Sequence, residues 1–363
     1  MQKDFLSCEI ISGEMKDIYE RDTDWQPLKN QTILITGASG MLASYMTFFL
    51  IYLNENYGYN MNIITQVRNR EKMKNILGRY SEKPYLKIIT DNICEPFAVS
   101  ECADYIMHTA SLAGPQHYES SPIEVALPNA VGTYHLLEYA YEQKCKGFLY
   151  FSSGDIYGKM PQGTDISENM SGQVNPLDSH SCYGESKRMG ETWCMAFSRQ
   201  KKVPTKIVRI GHTYGATMDI ENDPRVFASF MKNVFHGEDI IMYSDGKARR
   251  PFCYIADATA AFLTVLLYGK NGEAYNVCNT EEFLSMNELA QILVKLKSNM
   301  NLKVVYKTRI SSDSYLDNKV NKANKPVEDK LKKLGWKAHF NTEQGFSNIL
   351  KYLEYMEYDR EDE

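Results

Sequence analysis

The sequence predicts an α/β protein: a doubly wound parallel sheet with a smaller C-terminal α/β lobe. Three observations predict it. Thr32–Thr36 is a short, apolar, β-branched run, the pattern of a strand buried on both faces, and it passes straight into glycines and a long apolar helix. Strand and helix patterns then alternate through residues 31–210. The alternation breaks after Gly211, where helices and short strands no longer take turns.

Taken in order, residues 1–30 read as an N-terminal extension, mixed and polar, with one helix at Ser12–Glu20. The first strand, Thr32–Thr36, is followed by a helix over Met41–Asn56. Strands are expected at Asn62–Val67, Lys87–Thr90, Ala103–His108, Gly147–Phe151 and Thr205–Ile210, and long helices at Pro128–Lys144 and Tyr183–Arg199. Residues 31–210 make the first domain, with parts of 250–280 returning to it. Residues 211–358 supply mainly the smaller lobe. There Pro224–His236 reads as helix, Ile240–Tyr243 as strand, Cys253–Leu267 as strand end plus helix, and Glu273–Cys278 as strand. Helices follow at Ser285–Lys297, Lys325–Leu334 and Thr342–Tyr358. The polar segment Ser311–Lys325 reads as loop, and 359–363 as an acidic tail.

With 363 residues, 43% of them hydrophobic, the chain can bury a large core, and its length suggests about two domains. The formal net charge is −5 with both signs interspersed, and no basic face points to nucleic acid. Cys8, Cys94, Cys102, Cys145, Cys182, Cys194, Cys253 and Cys278 are scattered without C-x-x-C spacing or a histidine cluster. Free thiols in a cytoplasmic, reducing setting fit that scatter better than disulfides or zinc, and no metal is expected. The longest apolar stretch, Tyr45–Leu53, is too short for a membrane span.

The glycine loop carries the first functional signal. In Thr36-Gly-Ala-Ser-Gly-Met-Leu-Ala43, Gly37 allows a tight turn and Gly40 lets the backbone approach a phosphate. Met41 starts a helix whose free N–H groups and dipole favour an anion. The G-x-x-G-x-x-A spacing after a strand therefore reads as a cradle for a dinucleotide pyrophosphate, although an ordinary βα turn has the same spacing. The second signal is Tyr183-Gly-Glu-Ser-Lys187. Residues four apart share a helix face, and an ammonium beside a phenol favours the phenolate. The bland reading is a solvated helix face. Ser153, at the end of the strand before it, is placed to share a substrate oxygen with Tyr183.

On these residues the chain resembles the extended short-chain dehydrogenase/reductases, and more narrowly the NAD(P)-dependent nucleotide-sugar epimerases, dehydratases and decarboxylases. The resemblance runs over about residues 31–358. It includes the glycine loop, Asp91-Asn-Ile93, Asn129-Ala-Val-Gly-Thr133, Ser153 with Tyr157-Gly158, and Tyr183/Lys187. It continues through Arg250-Pro-Phe-Cys-Tyr-Ile-Ala-Asp257 and Leu334-Gly-Trp336. The narrowest likeness is to UDP-glucuronate decarboxylases, through Tyr118, Tyr183-x-Glu-x-Lys-Arg188 and Arg225-Val-Phe. The resemblance implies a Rossmann fold and a catalytic set of Ser153, Tyr183 and Lys187, with Asp155 beside them. It implies cofactor contacts from Gly37, Ser39, Gly40, Met41, Leu42, Asp91, Asn92, Ile93, Thr109, Ala110 and Ser111, as well as Tyr183 and Lys187. It implies substrate contacts from Tyr118, His212, Arg225 and Arg250. It also implies a homodimer in which Pro128–Lys144 and Tyr183–Arg199 pair across a four-helix bundle.

Three departures from the family pattern bear on the reaction. NAD-binding members usually carry an acidic residue after the second strand; this chain has Arg68-Asn69-Arg70. A carboxylate there repels a 2′-phosphate and an arginine attracts it, so NADP(H) is favoured over NAD, unless the arginines are only surface charge. Dehydratases carry an acid pair where this chain has Gly154-Asp155. Decarboxylases carry a glutamate at the place of Asp155 and an asparagine at the place of His212. His212 is either a core histidine or a contact for diphosphate or sugar. His108 and His117 read as structural or as neighbours of the phosphates, not as metal ligands, since no third ligand has suitable spacing. The segment Gly114-Pro115-Gln116-His117-Tyr118 reads as lining a sugar pocket. The expected activity is NADP(H)-dependent reduction of a carbonyl on a nucleotide-activated sugar. One form of it is a CDP-ketose reduced to a CDP-alditol for surface or capsule polysaccharide. The alternative is a hydride-recycling NAD enzyme, a UDP-glucuronate decarboxylase or a 4-epimerase. A dinucleotide sensor on the same fold is the remaining alternative, and retention of both Tyr183 and Lys187 weighs against it.

Overall fold

The computed structural model describes residues 4–97, 101–307 and 324–357. Helix α1 (Glu9–Glu20) precedes strand β1 (Thr32–Thr36), helix α2 (Met41–Tyr57), β2 (Asn62–Gln66), α3 (Arg70–Leu77), β3 (Leu86–Ile89) and β4 (Tyr105–His108). Next come α4 (Gln116–Ser120), α5 (Pro122–Leu127), a π-helical turn at Pro128–Gly132, and α6 (Thr133–Glu142). Strand β5 (Gly147–Ser153), the short β6 (Asp165–Ile166), α7 (Ser181–Gln200) and β7 (Thr205–Ile210) follow. The second half holds β8 (His212–Tyr214), α8 (Val226–Phe235), β9 (Ile240–Met242), β10 (Arg249–Tyr254), α9 (Ile255–Tyr268) and β11 (Glu273–Val277). It ends with β12 (Phe283–Ser285), α10 (Met286–Leu296), β13 (Val304–Tyr306), β14 (Lys325–Pro326), a short helix Asp329–Lys332 and the helix Thr342–Glu357.

Seven strands form one parallel sheet in the order β11-β7-β5-β4-β1-β2-β3. The order reverses between β1 and β4, which opens a crevice at the carboxyl ends of the strands, where an open α/β sheet binds ligands. This is the expected Rossmann sheet. Both faces are covered, so β1 and β5 are almost wholly buried. Helix α2 is apolar nearly all round because it is enclosed by the sheet, α1 and α9; eleven of its residues, Ala43 to Leu53, are buried. Gly58 ends it in the left-handed region, at φ 62°, returning its N–H to the Leu53 carbonyl.

The N-terminal extension has a structural role. Helix α1 lies against α2, α9 and the helix Thr342–Glu357. Glu14, 2% exposed, accepts hydrogen bonds from Tyr45 on α2 (2.7 Å), Tyr254 on β10 (2.5 Å) and Asn348 near the C-terminus (2.8 Å). Burial pushes the Glu14 carboxyl up to about 7 against those donors. Arg21 bridges Asp17 and Asp257, and the Asp257 carboxylate also accepts the backbone N–H groups of His339 and Phe340. The extension therefore ties the sheet domain to the C-terminal helix.

Several boundaries differ from the sequence-based expectation. Helix α1 begins at Glu9 rather than Ser12. The helix expected at Pro128 starts at Pro122, and Pro128 falls in its π turn. Strand β5 continues through Ser152 and Ser153, paired with Arg209 and Ile210. The helix expected over Lys325–Leu334 is instead strand β14, paired with β6, followed by the four-residue helix Asp329–Lys332. Pro326, with no N–H to donate, suits a two-residue edge pairing better than a helix interior. The expected acidic tail and nearly all of the expected loop Ser311–Lys325 lie outside the described residues. Among the described residues no helix is long and apolar enough to cross a membrane.

Candidate active site

At the crevice, Gly37 has φ 63°, and a Cβ there would stand 2.6 Å from the Cα of Ala110. Only glycine fits both the turn and the loop that follows β4. Thr36 ties the two loops: its carbonyl accepts from the Thr109 hydroxyl, and its Oγ1 accepts the Ala110 N–H at 3.3 Å. Gln66, at the end of β2, accepts the Gly37 N–H (3.1 Å) and donates to the Asp91 carbonyl (2.7 Å). It thereby joins the glycine loop to Asp91-Asn92-Ile93. Gly40 caps α2, and Ser39, Met41 and Leu42 stand half-buried at that helix start. Ile93 is buried against Gly132, whereas Asp91 and Asn92 are exposed. The Ser111 hydroxyl is buried with no protein hydrogen-bond partner. An orphaned hydroxyl beside a free helix N-terminus and a glycine cradle fits a dinucleotide that supplies the missing acceptors and the anion.

Of the two readings of His108, the structure favours the structural one. Its ring joins Thr36 (2.9 Å) to Thr133 (3.0 Å), and burial with the nearby Lys187 charge lowers it to about 3, so it is neutral.

The catalytic candidates converge at the end of β5. The Ser153 hydroxyl accepts the Asp155 N–H at 3.1 Å and lies close enough to the Tyr183 phenol to oppose the rise of its pKa. Lys187, one turn along α7, donates to the Phe151 carbonyl at 2.6 Å, with Nζ 5.8 Å from the Tyr183 ring centre and 5.2 Å from that of Tyr150. Burial lowers the Lys187 ammonium to about 7, while the Glu191 carboxylate raises it. One expectation is corrected here. Lys187 was expected to pull the Tyr183 phenol down, but burial and the Asp155 carboxylate push it up, with Ser153 opposing them. The ammonium reaches for a backbone carbonyl rather than for the phenol oxygen.

The other predicted residues are distributed around this centre. Tyr118 is 3% exposed and stacks on Tyr183, its hydroxyl donating to the Ala113 carbonyl at 3.2 Å. His117 beside it is half-buried. His212 starts β8 two residues past Ile210, the ladder partner of Ser153, and lies edge-on to Phe227 and Phe252. Arg225 is gripped by Asp223 and donates to the Thr213 carbonyl, with one nitrogen 3.5 Å from the Met41 sulfur, so it spans from the second lobe to the glycine-loop helix. Arg250 is half-buried and donates to the Arg249 carbonyl. Arg68, Asn69 and Arg70 are exposed, and Asn69 caps α3 by accepting the Lys72 N–H. Among the described residues no group of acidic, cysteine or histidine side chains forms a metal cluster.

Sequence reading missed two residues. Gln66 is a lone polar residue in an apolar strand. Glu191 repeats the four-residue step from Tyr183 through Lys187, and that spacing was the available signal.

The profile of the NAD dependent epimerase/dehydratase family matches residues 33–278. UDP-glucuronic acid decarboxylase 4 of Arabidopsis thaliana is 29% identical over 320 residues, covering 88% of this chain and 68% of that protein. UDP-glucuronic acid decarboxylase 6 of the same plant is 30% identical over 280 residues, covering 77% of this chain and 78% of that protein. Among solved structures, the UDP-glucose 4-epimerase of Thermotoga maritima with UDP-glucose superposes with a TM-score of 0.74 at 23% identity, covering 89% and 99% of the two chains. The UDP-glucuronic acid 4-epimerase of Bacillus cereus, with UDP-glucuronic acid and NAD, gives 0.72 at 19% identity, covering 90% and 99%. At such identities the structural likeness bears on the fold.

Proposed function

Since the chain belongs to the NAD dependent epimerase/dehydratase family, we propose that it is an NADP(H)-dependent oxidoreductase reducing a carbonyl of a nucleotide-activated sugar. The specific form proposed is reduction of a CDP-ketose to a CDP-alditol for surface polysaccharide. One observation carries the choice of cofactor and direction: β2 is followed by exposed Arg68-Asn69-Arg70 where a carboxylate would mark NAD. A net reductase must exchange its cofactor each turn, and a reducing cytoplasm supplies NADPH.

A bound nicotinamide supplies hydride to the carbonyl carbon. The glycine loop, the N-terminus of α2, Ser111 and Arg68 would hold that cofactor. Tyr183 donates its phenol proton to the carbonyl oxygen, which becomes the new hydroxyl. Ser153 hydrogen-bonds the same oxygen as negative charge develops. Lys187 supports the phenolate left behind. Asp155 sits close enough to hold the phenol protonated before the transfer. His212, Arg225 and Arg250 are proposed for the diphosphate and sugar, and Tyr118 for fixing Tyr183.

The second reading is a hydride-recycling UDP-glucuronate decarboxylase or 4-epimerase, favoured by the names of the relatives and by the NAD in the solved neighbours. A homodimer in the cytoplasm goes with either reading. Leu127, Val131, Tyr134 and Met189 stand 36–39% exposed on α5–α7 and the π turn between them, which suits helix pairing.

Incubation with NADPH and CDP-, UDP- and dTDP-keto sugars tests the proposal. NADPH is expected to be consumed with a CDP-ketose. Tightly held NAD together with CO2 or an epimer released from UDP-glucuronate, without net redox change, would instead establish the second reading.

A further inference from the structure

We propose that Glu191 is a positioning residue: held by Arg209 and Ser152, it locks the end of β5 to α7 beneath Tyr183 and sets the charge environment of Lys187 one turn away. This role rests on the oxidoreductase reading of the same site.

Tyr183, Lys187 and Glu191 follow one another at four-residue steps on one face of α7. The end of β5 answers with three consecutive residues. Ser153 lies near the Tyr183 phenol, the Phe151 carbonyl accepts from Lys187, and the Ser152 hydroxyl donates to the Glu191 carboxylate at 2.6 Å. From β7, Arg209 grips the same carboxylate with two nitrogens, at 3.0 and 2.7 Å. Arg209 stands opposite Ser152 in the ladder, and it is itself fixed by the Tyr157 hydroxyl and the Glu168 carbonyl. A planar fork on one side and a hydroxyl on the other hold Glu191 in one orientation.

The charges around Lys187 give this arrangement its consequence. His108 on β4 is buried and neutral, and Tyr150 on β5 presents only its ring face. On α7 the neighbours are Tyr183, a neutral phenol, and Glu191, with Arg209 of β7 behind Glu191. Asp155 faces the phenol. Glu191 is thus the anion that favours the charged lysine against its burial. An ammonium one turn away stabilises the phenolate that remains once Tyr183 has given up its proton; a neutral amine does not.

The test is the titration of Lys187 in the full-length protein labelled with carbon-13 at lysine Cε, the resonance being assigned through Lys187→Met. Glu191→Gln is expected to lower the Lys187 midpoint by about one pH unit, a tenfold loss in proton affinity. Glu191→Asp, which withdraws the carboxylate by one methylene, is expected to move it the same way by less and serves alone if the glutamine variant does not fold. The alkaline limb of NADPH oxidation is expected to shift in step. A midpoint unchanged in both variants, with only thermal stability lowered, overturns the proposal. A midpoint that moves in a protein consuming no NADPH with any of the keto sugars supports the positioning of Lys187 and sinks the redox reading.

Discussion

Tyr118 and Tyr183 stack ring on ring, their centroids 5.2 Å apart and their planes 13° from parallel. The partner ring comes from the short helix after β4, and its hydroxyl is anchored on the Ala113 carbonyl. The phenol of Tyr183 is therefore aimed by a neighbour as well as by its own helix. Stacking of this kind is worth about 0.5–1.5 kcal/mol. Tyr118→Ala is expected to lower kcat on the order of tenfold and, because it empties a buried ring site, the thermal midpoint as well, whereas Tyr118→Phe, which keeps the stack, is expected to stay near wild type in both. Steady-state kinetics on the three proteins checks this.

Arg68 is exposed two residues past the end of β2. If it pairs with a 2′-phosphate, it contributes a charge-assisted contact worth roughly 1.5–3 kcal/mol. Arg68→Asp is then expected to weaken NADPH binding by about 10- to 100-fold and to leave NADH binding unchanged or improved. Fluorescence titration of both cofactors distinguishes this from surface charge, for which neither affinity moves.

The buried Glu14 makes stability depend on pH with a definite sign. Its carboxyl is raised from 4.5 to about 7 in the fold. Between those values the folded state binds more protons than the unfolded chain, so stability is present below about 4.5 and is lost as pH rises through 7. The size is on the order of 3 kcal/mol. His108, lowered to about 3, acts oppositely below 6.5, so the difference between wild type and Glu14→Gln is the informative quantity. A glutamine oxygen can keep the Tyr254 and Asn348 donors, and its amide can donate to Tyr45. Thermal melts are expected to show Glu14→Gln gaining on wild type as pH rises from 5 to 8.

Gly37 combines a positive φ with a 2.6 Å approach to Ala110. Gly37→Ala is expected to displace the loop after β4 and with it Ser111. Cofactor affinity should fall more than the thermal midpoint does, as read by isothermal titration and by melting.

The sheet was legible because its signals are local. Thr32–Thr36 is a strand by its own composition, Gly37 ends it by conformation, and α2 follows by its apolar length. Tyr183 and Lys187 were legible through helical spacing. The remainder depends on partners distant in the chain. Ser152 and Ser153 read as loop because serine is a poor strand residue, yet both pair in the ladder with β7 and the Ser152 hydroxyl is satisfied by Glu191 across the fold. Glu14 belongs to an extension without a visible purpose until Tyr45, Tyr254 and Asn348 close on it. The π turn at Pro128–Gly132 has no spacing signature, and it buries Asn129 against Ser186 of α7.

The most direct measurement is single-turnover oxidation of NADPH by wild type and by Tyr183→Phe, each mixed with a CDP-ketose. The account predicts a fast phase in wild type that slows roughly 10²- to 10⁴-fold in the variant, with NADPH still bound. Equal rates in the two proteins would contradict it.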